Sequence, residues 1–209
     1  MQFMAINRTK GFLLGITGII GSGKSYASKV FEELGAIRIS SDEIAFSLSN
    51  LNSSIGPALQ DLLGKDAFLE DGSLDRKYVA KLIFNDLNQK KSLEAIIHPA
   101  VRQKMRENWE NTKPEQVVVW EVPLLFETDA HTLCDVTLCI TTDITLAKNR
   151  CKERSGLKTE EFYARSESQL SQEEKASRAD FQIQNFSGLT EFKNKLQSFF
   201  NGDLKERLA

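Results

Sequence analysis

The sequence predicts an α/β domain: a mainly parallel sheet flanked by helices, with a largely helical insertion. Three observations predict it. Short, almost continuously apolar runs alternate with longer amphipathic stretches, which is how strands buried on both faces read. One of those runs leads directly into a glycine-rich loop and a helix pattern. The stretch 42–115 is helical in pattern and contains no strong strand.

The elements follow in order. Phe12–Thr17 reads as a buried strand and Lys24–Leu34 as a helix stopped by Gly35. Residues 36–40 form a second short strand. Within 42–115, Leu93, Ile96, Ile97 and Val101 make one apolar stripe, which Pro99 should interrupt. Residues 117–122 and Val136–Thr141 are the next two strands, and Asp143 should cap a helix running to about Arg154. The stretch 155–179 is polar, with few large apolar residues, and should form exposed helices. Phe181–Gln184 is a last strand. Leu189, Phe192, Leu196, Phe199 and Phe200 fall at helical spacing for a C-terminal helix.

Composition narrows the function. The chain has 209 residues, 41% hydrophobic and 27% charged, enough to build a core. Lys plus Arg is 27 against 29 acids, a net charge of -2, so no nucleic-acid partner is expected. No run approaches the roughly 18 apolar residues of a membrane span, so no membrane partner is expected either. Residues 1–10 lack the apolar core of a secretory signal. Three cysteines without metal-ligand spacing fit a reducing, cytoplasmic setting, and two histidines leave little material for zinc.

The strongest motif is Gly18-Ile19-Ile20-Gly21-Ser22-Gly23-Lys24-Ser25, a complete G-x-x-x-x-G-K-[ST]. It follows a strand and opens a helix, the context of a phosphate-binding loop. Its N–H groups, with Gly21, Ser22 and Gly23 at the turn, would cradle ATP phosphates, aided by the helix N-terminus. Lys24 reaches the β- and γ-phosphates, and the Ser25 hydroxyl is placed for Mg²⁺. A P-loop NTPase-type parallel sheet follows. No guanine-reading N-K-x-D is found, and the chain is short for a motor, so a small phosphotransferase is favoured.

Other residues belong to the same chemistry. Asp42, just past the second strand, lies where open α/β sheets place ligands. It reads as a general base for an attacking hydroxyl or as the N-cap of a helix starting at Glu43. Glu121 ends a buried strand and reads as an acid that holds Mg²⁺ through water or as a strand-end carboxylate bonded to the loop. Arg150 and Arg154, four apart on one helix face, suit a lid (150–179) that closes over ATP, with Arg150 steadying the transferring charge.

Together with Ile39-Ser40-Ser41-Asp42-Glu43-Ile44-Ala45, Leu74-Asp75-Arg76, Ile97-His98-Pro99, Glu121-Val122-Pro123-Leu124-Leu125-Phe126-Glu127 and the run from Arg150 through Arg154, Gln169, Ala179-Asp180 and Asn185, the loop resembles the dephospho-CoA kinase family over about residues 12–200. The resemblance implies phosphorylation of the 3′-hydroxyl of dephospho-CoA by ATP with Mg²⁺, the last step of coenzyme A synthesis. It implies a nucleotide core (11–41, 116–149 and 180–209), a helical CoA-binding insertion (42–115) and the lid. It places Asp42 as the base, and Arg76, His98, Pro123, Leu124 and Glu127 on the acceptor, although Glu127 also reads as a helix cap. Tyr26 and Asn185 fall on the ATP side. A monomer or weak homo-oligomer is expected. The chain departs from the family's D-A-D-x-I-A-R at Ser40 and Phe46, from its usual threonine at Tyr26, and from its Gly-Gly-Ile at Gly18-Ile19-Ile20.

Overall fold

A computed structural model describes residues 9–208 except Asn85 and Ser187; residues 1–8, named above for what they lack, lie outside it. Among the described residues five strands form one sheet: β1 (Phe12–Thr17), β2 (Ile37–Ser40), β3 (Val117–Glu121), β4 (Val136–Thr141) and β5 (Phe181–Gln184), in the order β2-β3-β1-β4-β5. The pairings β1·β3, β1·β4 and β4·β5 are parallel. Parallel neighbours need crossover connections, and helices supply them. The register sets Ile16 beside Glu121 and Thr17 beside Cys139, so the loop after β1 and the acid ending β3 emerge at the same edge of the sheet.

The chain divides into two compact units, Ser40–Asn108 and the flanking stretches up to Ile39 and from Trp109 onward. In the larger unit, α1 (Lys24–Glu33) and α9 (Leu189–Asn201) pack on one another and on strand residues Phe12, Leu14, Ile16, Val136, Leu138 and Ile140, which alternate onto one face of the sheet. Phe31 of α1 is fully buried and stacks on Phe200, centroids 5.4 Å apart. Truncating such a ring to alanine costs about 3–5 kcal/mol. This unit also holds α6 (Ile144–Ser155), α7 (Thr159–Glu167), α8 (Gln172–Arg178) and α10 (Asp203–Leu208). Asp143 caps α6, accepting from Thr145 N–H at 2.8 Å and Leu146 N–H at 3.1 Å.

The smaller unit contains α2 (Ser41–Leu48), α3 (Gly56–Leu63), α4 (Arg76–Phe84) and most of α5 (Leu87–Glu110) around Leu59, Leu63, Ala67, Val79 and Leu93. Its only extended pairings among the described residues are the isolated bridges Asn50–Ser73 and Phe68–Leu74. Pro99 does not interrupt α5, contrary to expectation: the helix continues through it to Glu110. An interior proline costs about 3 kcal/mol, and burial of Leu93, Val101 and Met105 on both sides offsets it.

A second expectation is also corrected. The segment 155–179 does not simply project as exposed helices. Phe162 is 0% exposed, packed with Ile19 of the glycine-rich loop, Ala147 and Cys151. Lys175 is equally buried.

Candidate active site

The glycine-rich loop occupies the turn from β1 to α1. Gly21 (φ 78°) and Gly23 (φ 105°) have left-handed backbones, which side chains disfavour. A Cβ on Gly21 would strike the Ala147 carbonyl, and one on Gly23 would come within 2.5 Å of Asn185 Nδ2. The sequence thus permits both the tight wrap and close packing against α6 and the loop after β5. Ser22 is buried and its hydroxyl has no partner among the described residues. Lys24 folds over the loop, donating to the carbonyls of Gly18 and Ile19 at 2.9 Å each. Those acceptors are replaceable by phosphate oxygens at similar reach.

Ser25 donates to Glu121 Oε1 at 2.5 Å. Glu121 is 3% exposed, and its other oxygen accepts from Ser28 Oγ (2.9 Å) and Arg38 Nη2 (3.2 Å). Arg38 Nε also reaches Ser28 Oγ at 3.0 Å. The carboxylate is therefore buried with a counter-ion and hydrogen bonds, as a buried charge requires. The Ser25 hydroxyl directs its proton at Glu121, which leaves the hydroxyl oxygen's lone pairs available. A hydroxyl and a carboxylate oxygen side by side fit Mg²⁺, which takes oxygen ligands and is held by one or two protein groups plus substrate phosphates. No group of three or more His, Cys, Asp or Glu suited to a metal occurs among the described residues.

On the far side of the loop, Asn185 is 4% exposed and donates to the Ser22 carbonyl at 2.7 Å. Arg150 donates to Asn185 Oδ1 and its carbonyl, both at 3.2 Å, and to Thr142 Oγ1 at 3.1 Å. The structure thus joins Arg150, Asn185 and the glycine-rich loop in one network. Arg154 lies exposed in the last turn of α6, outside it. Tyr26 stacks its ring on Phe192 of α9, centroids 5.7 Å apart, a packing contact that the sequence did not signal.

The segment after β3 is fixed from behind. The Pro123 carbonyl accepts from Thr17 Oγ1 (3.3 Å) and Lys175 Nζ (2.6 Å). Glu127 Oε1 accepts from Lys175 (2.7 Å) and Leu170 N–H (2.9 Å). Glu127 therefore ties this segment to the start of α8 rather than capping a helix. Leu124 is half-buried, its carbonyl accepting from the Thr128 hydroxyl at 2.7 Å.

In the helical unit, Asp42 is an exposed first-turn residue of α2 and not its cap. Ser40 is the cap, its hydroxyl accepting from Glu43 N–H at 3.4 Å. The helix begins two residues earlier than expected because serine at the strand end serves as well as aspartate. Arg76 is exposed at the start of α4, its guanidinium carbon 4.5 Å from the Phe46 ring centroid. His98 lies half-buried inside α5, not at a helix end.

Sequence reasoning missed Arg38, Ser28 and Lys175. Arg38 shares the β2 face of Ser40 by strand alternation, a faint signal. Lys175 lies in a charged stretch where nothing distinguishes it.

A strand, glycine-rich loop and helix, with a lysine on the loop and a serine–acid pair at the adjacent strand end, define a phosphate-loop phosphotransferase. Comparison with known proteins sharpens the class. A family profile described as dephospho-CoA kinase matches residues 12–191, and the chain belongs to that family. The dephospho-CoA kinase of Leptospira interrogans is 38% identical over 192 residues, 92% of this chain and 93% of that one. A crystal structure from Thermus thermophilus is 32% identical with TM-score 0.79, covering 94% of this chain and 98% of that one. That of the Campylobacter jejuni dephospho-CoA kinase is 29% identical with TM-score 0.66, covering 93% and 98%.

Proposed function

We propose that this chain transfers the γ-phosphoryl group of ATP to the 3′-hydroxyl of dephospho-CoA, giving coenzyme A. Family membership supports the reaction, and the observation that carries it is the glycine-rich loop with Lys24, Ser25 and Glu121 converging at one sheet edge.

Phosphoryl transfer needs positioning and charge neutralisation more than covalent chemistry from the protein. The loop N–H groups bind the phosphates, and Lys24 exchanges the carbonyls of Gly18 and Ile19 for β- and γ-phosphate oxygens. Ser25 and Glu121 would hold Mg²⁺, which neutralises phosphate charge when bound. Arg150, already within reach of the loop through Asn185, offsets charge developing on the transferred group. Asp42 takes the proton of the attacking hydroxyl and orients it. Arg76 and His98 contact the acceptor, with Pro123 and Leu124 forming the wall behind it. Residues 150–179 act as the lid, Arg154 and Asn185 facing ATP. Three free thiols and consumption of ATP support a cytoplasmic setting. No described helix is long and apolar enough to cross a membrane.

Coupled measurement of ADP release tests the reaction. ATP turnover should depend on dephospho-CoA, and the product should carry its new phosphate on the 3′-oxygen. Lys24→Ala should lower turnover by about 10³-fold, the order of several kcal/mol of charge stabilisation. ADP release indifferent to dephospho-CoA would sink the reading.

A further inference from the structure

The two oxygens of Glu121 have different partners. Oε1 accepts from Ser25, the other member of the pair that fits Mg²⁺. Oε2 accepts from Ser28 Oγ at 2.9 Å and from Arg38 Nη2 at 3.2 Å. Arg38 reaches the carboxylate from β2, the neighbour of β3 in the sheet. Ser28 stands three residues after Ser25, on the same face of α1. Arg38 Nε also donates to Ser28 Oγ at 3.0 Å, so the planar guanidinium spans the hydroxyl and the carboxylate at once. The Arg38 and Glu121 side chains are only 11% and 4% exposed. Salt and water therefore screen this ion pair far less than a surface pair.

A divalent cation seated at Ser25 and Glu121 has the charge of one carboxylate to attract it, and Arg38 already balances that charge. Lys24, folded over the carbonyls of Gly18 and Ile19, adds a second cation beside Ser25. Two cations against one carboxylate leave this cluster with a net positive charge, which opposes a metal ion. Mg²⁺ also gives up its water reluctantly and is commonly held by one or two carboxylates together with substrate phosphates. The triphosphate of ATP reverses the local sign. We propose that Arg38 makes the Mg²⁺ site conditional on nucleotide, so that the metal is held only together with the triphosphate. Arg38 acts through Glu121 and is a positioning and charge-setting residue, not a catalytic one. The assignment rests on Ser25 and Glu121 being the metal-holding pair of the proposed function.

Mn²⁺, which takes the same oxygen ligands as Mg²⁺, is the probe. It is titrated into the full chain without nucleotide, and the free ion is counted by electron paramagnetic resonance. Arg38→Gln removes the charge and keeps an amide donor for the buried carboxylate. It should bind Mn²⁺ at least about tenfold more tightly than the parent. Arg38→Lys keeps the charge and should stay within about threefold of the parent. Ser28→Ala, which loses a hydrogen bond and no charge, should do the same. Adding Glu121→Gln to Arg38→Gln should abolish the gain. Equal binding by the parent and Arg38→Gln overturns the proposal, as does a gain that survives Glu121→Gln or an equal gain in Ser28→Ala. The parent tests it alone as well: tight Mn²⁺ binding without nucleotide overturns it whether or not the glutamine variant folds. If Arg38→Gln gains Mn²⁺ binding through Glu121 but the parent transfers no phosphate to dephospho-CoA, the role of Arg38 stands and the proposed reaction falls. If the parent transfers phosphate and Arg38→Gln gains nothing, the reaction stands and the role of Arg38 falls.

Discussion

The Lys175 ammonium lies 2.7 Å from Glu127 Oε1 with no solvent exposure. It also reaches the Pro123 carbonyl at 2.6 Å, so one buried charge binds α8 to the segment that follows β3. Removing one partner of such a pair leaves the other charge desolvated and uncompensated, a cost of about 3–5 kcal/mol. Lys175→Met should therefore lower Tm by roughly 10 °C for a chain of this size. The double variant Lys175→Met with Glu127→Leu should recover much of the loss, because both charges are then gone. Thermal denaturation of the two proteins decides it. A single variant melting with the parent would mean that the pair carries no net stability.

Glu121 has two readings, a metal-holding acid and a carboxylate that merely completes the hydrogen bonds of Ser25, Ser28 and Arg38. Glu121→Gln keeps the shape and removes the charge. The first reading predicts that the Mg²⁺ concentration for half-maximal rate rises about tenfold, a loss on the order of 1.4 kcal/mol. It also predicts that Mg²⁺ no longer increases the thermal protection given by ATP. An unchanged Mg²⁺ titration would leave Glu121 with the structural role alone.

Phe162 of α7 is packed with Ile19 of the glycine-rich loop, so the proposed lid is anchored to the element that binds phosphate. Hydrogen exchange should be fastest in the surrounding exposed residues of 150–172 in the free protein and should slow when ATP and dephospho-CoA are both bound. Equal protection in both states counts against closure. Phe162→Ala, which empties a fully buried site, should raise exchange in α7 and cost about 3–5 kcal/mol.

The cysteines give a pH dependence with a definite sign. Burial pushes the Cys134 thiol up to about 12, with Asp135 and Asp180 adding to it. Burial also pushes Cys139 up to about 11, against the opposing charges of Lys175 and Lys24. Unfolded thiols ionise near 9.0, so the unfolded chain releases these protons first. Their contribution to stability is complete below pH 9 and is lost as pH rises toward 11 and 12. Tm should fall more steeply over that window in the parent than in a Cys134→Ala, Cys139→Ala variant. Identical slopes would refute the assignment.

Much of this was legible in the sequence because the signals are local. Phe12–Thr17, Val136–Thr141 and Phe181–Gln184 are continuous short runs, and the structure forms strands over those same residues. Asp143 announces its cap by residue type and place. The glycine-rich loop is contiguous, so its lysine and serine are readable from spacing. What was hidden depends on tertiary neighbours. Arg38 and Glu121 are 83 residues apart, and only strand order brings them together. Lys175 looks like any solvated lysine of a charged stretch until Pro123 and Glu127 surround it. Pro99 misled because local propensity predicts a break and packing on both sides of α5 overrides it.

Asp42 separates the proposed chemistry from local helix stability. Read from sequence, it could have been a base or an N-cap. The structure gives the cap to Ser40 and leaves Asp42 exposed in the first turn of α2, so the two explanations no longer share a residue. Asp42→Asn preserves size and hydrogen-bonding capacity. It forfeits the favourable placement of a negative charge near a helix N-terminus, about 0.3–1 kcal/mol, a shift in Tm of a few degrees. If Asp42 accepts the proton of the attacking hydroxyl, kcat should fall by roughly 10²–10⁴-fold, while the KM for ATP stays near that of the parent, because the loss acts on the transition state and not on ground-state contacts. Asp42→Ala should be no less impaired in kcat than the asparagine variant, since what matters is the missing carboxylate. Steady-state kinetics and melting of the two variants are sufficient. A kcat within about threefold of the parent in Asp42→Asn would remove Asp42 from the base role and return the search to the other acids of the site.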